Sequence, residues 1–521
     1  MVAAGDLLGS IAPDGFMVMT DPIEHLANNG MRSHFEHSFV RHTAYYLIGR
    51  LATGLIGLAA LVAFTHVLSP ADYGRYAVIL AITALIANVG FQWLRQCLVR
   101  FGTGAGERPQ PLLGTLGAMY LAILLTLVVV CVALALLVRN HSLRMGLPVL
   151  ELVAIWCLTA CQAWFELAAD SARARFQPWR YSTATFARAL LSVVLGVVAA
   201  LLTHQVLMVV FAMAAAYLFA SVVTVPPSFA GLLRLGLATW REARRLAAYG
   251  LPLALALGMT FILDSADRLM LAGMRGYTEA GVYSSAYNLA LFSIGTVLSA
   301  LGLGSLPLVV GAFRDSAKDA ASVLLGHNFL LGIAIGLPAV VGIVILAPAL
   351  DRLLLGNYVA GRSDIVTVII AVAIGLAAIR SYCVDLVFML HQRTWVQTIV
   401  IAVSALVNIL LNLVLIPRWG AIGAASASLM AFLLAFLGSW FLSRYYVKMR
   451  VGLRDVVKIV LGCGVMVGVL LAISPDTGRW PSVVLGIVCG ATAYALVTLA
   501  LNVAGSRTQL AAFIASYRAR S

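Results

Sequence analysis

Apolar runs of about 18 residues or more, each long enough as helix to cross ~30 Å of hydrocarbon, recur along this chain with short polar links between them. Fourteen lie near 44–66, 76–97, 111–138, 148–169, 181–203, 205–226, 250–273, 281–311, 321–347, 364–390, 395–416, 420–443, 455–473 and 481–503. The pattern predicts an all-α polytopic membrane protein of about fourteen transmembrane helices. Composition agrees, since 62% apolar against 11% charged residues over 521 positions is more apolar side chain than a soluble core hides.

Basic residues orient the bundle, because Lys and Arg of short loops stay on the cytoplasmic side. With a cytoplasmic N-terminus, the loops on that side hold 23 of the 35 Lys and Arg, the opposite loops hold 8, and 4 lie inside helices. Both termini are therefore expected in the cytoplasm. The strongest anchors are Arg234, Arg241, Arg244 and Arg245 after the sixth helix, and Arg444, Lys448, Arg450, Arg454 and Lys458 around the start of the thirteenth. The formal net charge of +14 thus reads as topology, with membrane lipids and not nucleic acid as the partner.

Two short stretches repeat. Ser69–Val78, "SPADYGRYAV", and Gly276–Ser285, "GYTEAGVYSS", share an acid-x-Gly-x-Tyr core in which Asp72, Gly74 and Tyr76 answer Glu279, Gly281 and Tyr283 at an offset of 207. A second echo joins Arg173–Ser182 to Met389–Thr398. The chain reads as a duplicated six-helix unit followed by two extra helices. Its parts are a tail over 1–43, an N-lobe over 44–226, a linker over 227–249, a C-lobe over 250–443, the last two helices within 444–503, and a tail over 504–521. An even number of helices per repeat relates the lobes by an axis along the membrane normal and leaves a cavity between them. The repeated motif is expected as an interhelical turn, with glycine for its backbone freedom, the acid as a cap and tyrosine half wet at the interface.

Several chemistries are excluded. The three lysines, Lys318, Lys448 and Lys458, follow no glycine, so no phosphate-cradling loop of an ATPase exists. No His-Glu-x-x-His or Asp-x-Asp pair offers a metal site, and no soluble domain is large enough for catalysis. The seven cysteines, including Cys157 and Cys161, sit in or beside apolar runs as small hydrophobes.

"LSPADYGRYAVILAITALIANVG", "GLPLALALGMTFILDSADRLMLAGM" running into "YTEAGVYSSAYNLA", and "NILLNLVLIPRWGAIGAASASL" resemble the polysaccharide (Wzx-type) flippases of the multidrug, oligosaccharidyl-lipid and polysaccharide exporter superfamily, over roughly residues 40 to 445. The resemblance implies a V-shaped two-lobed cavity. It also implies an undecaprenyl-pyrophosphate-linked oligosaccharide as substrate, turned from the cytoplasmic to the periplasmic leaflet of the bacterial inner membrane. A polysaccharide polymerase and export machinery are the implied protein partners. Fourteen helices in place of the commoner twelve also match the lipid II flippases of the same superfamily.

Charges within apolar runs cost at least ~2.5 kcal/mol each, so they should face protein or a wet cavity. Arg50, Arg188 and Arg380 lie at one depth, roughly 8–11 Å from the cytoplasmic face. With Arg268 they are the candidate pyrophosphate contacts, because a guanidinium matches phosphate oxygens in bidentate fashion. Arg50 and Arg188 are equally placed to reach the headgroups. On the seventh helix Asp264 and Arg268 share a face, a pair that leaves one carboxylate over, and Asp264 and Asp267 are the candidate coupling or gating acids for protons or sodium. Tyr283, Tyr287 and Asn288 are candidate sugar contacts, and Asn408 and Asn412 read as interhelical glue. No catalytic residue, metal or cofactor is expected. A multidrug or cation antiporter is disfavoured by the cationic buried set, and a membrane polymerase or ligase by the short outer loops.

Overall fold

A computed structural model describes residues 49, 51–102, 110–139, 149–174, 177–224, 232, 234–314, 318–355, 363–447, 449, 451–473, 480–505 and 507. Helices dominate them: α1 Leu51–Val67, α2 Pro70–Phe101, α3 Gln110–Arg139, α4 Val149–Ala174, α5 Pro178–Thr203, α6 Val206–Thr224, α7 Trp240–Arg275 and α8 Tyr277–Gly302, which runs on to Arg314. Then come α9 Lys318–Leu355 and α10 Ser363–Leu390. The helix Thr394–Tyr446 breaks at Gly420 into α11 (394–419) and α12 (421–446), and α13 Leu453–Ile473 and α14 Trp480–Ala500 complete the set. Among the described residues eleven helices are long and apolar enough to cross a membrane when the broken one counts once, and α1 and α6 are shorter apolar helices. Divided at Gly420, the described residues hold segments consistent with fourteen spans.

Local chemistry sets these ends. Ser69 caps α2, its Oγ accepting from the Asp72 amide while Pro70 fills the first turn, where a missing N–H costs nothing. His204 adopts a left-handed backbone (φ 53°) to close the tight link between α5 and α6. At the α11–α12 break Gly420 sits at φ 57°, ψ −130°, and the Glu279 carboxylate accepts the freed Ala421 amide at 2.8 Å. Pro417, three residues earlier, already removes a helical donor.

Short links make consecutive helices antiparallel, which defines a proximal end of the bundle, where α1 begins, and a distal end, where α2 begins. One apolar core gathers N-lobe residues such as Phe64, Ile79, Leu158 and Val209. A second gathers C-lobe residues such as Leu271, Tyr283, Ile370 and Phe432. The lobes exchange side chains: Val78 of α2 lies in the C-lobe core, and Leu289 of α8 in the N-lobe core. Helices α13 and α14 dock on α9, where Tyr494 donates to the Ala334 carbonyl at 2.6 Å.

The repeated acid-x-Gly-x-Tyr motif is not a turn. Both copies lie inside helices, in the opening turns of α2 and α8, and the positive-φ glycine beside the second copy is Gly276, not Gly281. Tyr76 and Tyr283 are buried, not half wet. Gly74 and Gly281 serve close approach: a methyl on Gly74 would overlap the Tyr277 carbonyl, and one on Gly281 would overlap the Pro70 carbonyl. Tyr277 and Pro70 are themselves 207 positions apart, so the two contacts are copies of each other and the crossing lies on the axis relating the lobes.

Candidate functional site

Proximal to that crossing a cavity opens between the lobes. Its two adjoining parts, about 640 and 370 Å³, share Thr53, Arg188 and Tyr382. The lobes also meet along both flanks. Gly57 of α1 leaves room for the Phe292 ring of α8, and Gly250 of α7 for the Trp93 indole of α2. Distally the α2–α8 crossing closes the space.

The N-lobe wall is built on an ion network. Arg95 of α2 donates to Glu166 and Asp170 of α4 at 2.5 and 2.6 Å, and Asp170 also receives Arg173 at 3.3 Å. Glu166 and Asp170 are thus tied across helices through Arg95. Arg95 was missed in the sequence because it falls near the end of an apolar run, where a base usually reaches for headgroups. The available signal was two acids four apart on α4, a spacing that puts both on one face in need of a base. Nearby, Arg188 donates to the Tyr217 hydroxyl at 3.3 Å and lies over its ring, 5.2 Å from the centroid.

On the C-lobe wall α10 changes from α to π geometry over Arg380–Val384. Arg380, Ser381 and Tyr382 all line the cavity there. The Arg380 side chain is only 5% exposed. Its Nη1 lies 3.7 Å from Asp385 Oδ2, which accepts from Gln397, while Ser439 donates to Asp385 Oδ1. Its Nε and Nη1 carry no hydrogen bond. A buried guanidinium with donors to spare on a cavity wall has the chemistry to receive an anion.

The α7 cluster is distributed otherwise than its spacing suggested. Asp264 lines the cavity with Tyr287 and Arg380, and no ion pair joins it to Arg268 among the described residues. Arg268 instead donates to Asn288 Oδ1 at 3.3 Å and lies over the Tyr287 ring at 4.6 Å. Asp267, far from being left over, is 1% exposed and held from three helices. It accepts from Tyr283 and from Asn412, both at 2.5 Å, and from Ser428. Asn412 in turn donates to Asn408 at 3.1 Å. Tyr283 therefore faces Asp267 and not the cavity, and Asn288 donates to the Tyr73 hydroxyl of the other lobe at 3.2 Å. Of the sequence candidates, Arg188, Arg380, Asp264 and Tyr287 share the cavity, Arg268, Asp267, Tyr283 and Asn288 stand behind its wall, and Arg50 lies outside the described residues.

Residues 39–311 match the family model described as polysaccharide biosynthesis protein. No curated protein sequence matches the chain. Among solved structures, the lipid II flippase MurJ in an inward closed conformation is similar at TM-score 0.71 and 13% identity, over 89% of this chain and 99% of that one. An inward-facing multidrug resistance MATE family transporter of the MOP superfamily is similar at 0.55 and 15% identity, over 78% and 94%. The Vibrio cholerae MATE transporter VcmN is similar at 0.52 and 14% identity, over 79% and 97%. At such identities the likeness is one of fold.

Proposed function

The chain belongs to the polysaccharide biosynthesis protein family, and from that premise we propose that it is a Wzx-type flippase of the exporter superfamily, turning undecaprenyl-pyrophosphate-linked oligosaccharide from the inner to the outer leaflet of a bacterial cytoplasmic membrane. The proximal end is the cytoplasmic one on the basic-residue count, so the cavity faces the side where such lipids are assembled. The observation that carries the reading is Arg380, buried on the cavity wall with two guanidinium nitrogens unbonded. Arg188 lines the same space and supplies a second fork of donors. Two guanidiniums suit a diphosphate, and the hydroxyls and rings of Thr53, Tyr217 and Tyr382 suit the sugars beyond it.

Alternating access then carries the headgroup across as the lobes part distally and close proximally. Asp267, held by Tyr283, Asn412 and Ser428 away from the cavity, is the coupling candidate for a proton or sodium ion. Surface polysaccharide polymerase and export machinery are the partners the reading implies.

The test is accumulation of lipid-linked repeat units in cells whose own flippase gene is deleted. Wild-type protein should restore surface polysaccharide, and Arg380→Ala should fail at equal membrane abundance. Arg380→Lys should restore it only in part, because the ammonium lacks the planar fork. Full restoration by Arg380→Ala sinks the diphosphate assignment. Rescue of a lipid II flippase deletion instead would move the substrate to a cell-wall precursor.

A further inference from the structure

The lobes touch distally through two kinds of contact, and their combination assigns a gate. One is the crossing of α2 and α8 at Gly74 and Gly281, where backbone meets backbone. Along α8 the small residues Gly281 and Ser285 are both buried, four apart on one face, which lets the helices approach as small-xxx-small pairs do. Contacts of this kind are van der Waals surfaces that part without stranding a polar group.

The other contact is polar and spans the lobes. Tyr73, next to Gly74, accepts a hydrogen bond from Asn288 Nδ2 at 3.2 Å. Tyr73 is 4% exposed, so its hydroxyl has little water to turn to when that bond breaks. The Asn288 amide is held in orientation from behind, since Arg268 Nη2 donates to its Oδ1 at 3.3 Å. Arg268 is fixed by the Tyr287 ring, and the Tyr287 and Tyr283 rings lie 6.0 Å apart. Tyr283 donates to Asp267. A connected set of side chains thus runs from Asp267 in the C-lobe to Tyr73 in the N-lobe, and only its last bond crosses between lobes.

We propose that Tyr73 and Asn288 are the latch of the outer gate, closed over the Gly74–Gly281 crossing as its pivot, and that they position the lobes for inward access. The inference rests on the alternating-access reading. Its consequence is that Asn288 acts on the access equilibrium and not on the sugar. Breaking the latch releases the distal faces, and a methyl at the pivot wedges them apart.

Outward opening is read directly with a cysteine placed in the cavity. Thr185→Cys, on the α5 wall, is treated in intact cells with a membrane-impermeant maleimide, and the parent chain with its seven native cysteines gives the background. Tyr73→Phe should raise the labelling rate roughly five-fold, the value of one hydrogen bond. Asn288→Ala should do the same, and the double variant should exceed neither single one, because both remove the same bond. Gly281→Ala should raise it further. If that variant does not accumulate, Tyr73→Phe still decides, since it deletes one oxygen and little else. Unchanged labelling in Tyr73→Phe and Asn288→Ala overturns the latch. No substrate enters the measurement, so a wrong substrate leaves it readable, whereas fast labelling of the unaltered gate from outside overturns the inward orientation beneath it.

Discussion

Arg95 holds two acids at once, and its loss should be felt as stability before transport. Arg95→Ala leaves Glu166 without its base and the buried Asp170 with only the half-exposed Arg173, a change that costs about 3–5 kcal/mol when a buried pair is broken from one side. Thermal unfolding of the purified protein in detergent should show it. Adding Glu166→Gln and Asp170→Asn to Arg95→Met should recover most of the loss, because no uncompensated charge then remains. Arg380 separates the two effects differently: Arg380→Met strands the buried Asp385 beside it and should unfold earlier than wild type, whereas Arg380→Met combined with Asp385→Asn should regain most of that stability while transport stays lost. The residue scale was the least legible in the sequence. Arg188, Arg380 and Asp264 announced themselves as charges in apolar runs, but the partner of each depends on which helix lies opposite. Asp267 shows the limit, since intrahelical spacing offered it no partner while α8, α11 and α12 supplied three.

Among elements, the helix Thr394–Tyr446 is the clearest case of a single residue dividing one segment into two spans. Gly420 provides a left-handed backbone there, and a Cβ would stand 2.6 Å from Glu279 Oε2, the group that caps α12. Gly420→Ala should therefore destabilise by more than the ~1–2 kcal/mol of the backbone term alone. Glu279→Gln should cost less than Gly420→Ala, because an amide oxygen still accepts the Ala421 amide. Differential scanning of the two variants checks the order, and an equal loss would place the whole effect in the cap. The helices were readable from run length, because hydrocarbon thickness fixes the length of a span. The α2 start was placed late, at 76 against Pro70, since Ser69, Pro70 and Asp72 look like a loop until read as a cap. The π turns at Ala87–Phe91, Leu291–Gly295 and Arg380–Val384 left no mark in the pattern, as they shift side chains without changing hydropathy.

For the whole molecule, orientation is the first thing to check. Reporter fusions after Thr203 and after Trp240 should place the first outside and the second in the cytoplasm, and the same side for both would undo the reading of which way the cavity faces. The two-lobed architecture was legible from the 207-residue echo, whereas the contact between the echoes was not, because an offset does not say that repeats touch. That contact has a consequence for symmetry. In a dimer with twofold symmetry, a residue on the axis meets its own copy, and here Gly74 meets the Tyr277–Gly281 turn as Gly281 meets the Pro70–Gly74 turn. The seam has the form of a homodimer contact, each copy of the motif seated on the other. The neighbours differ, since Arg75 pairs with Glu151 on one side while Val282 stands at the matching place on the other. The glycines do not differ, because each is the other's clearance. Gly74→Ala and Gly281→Ala should accordingly shift outward access by the same factor, within about two-fold, despite their different surroundings; unequal shifts would mean that the lobes share a shape and no longer an energetic symmetry.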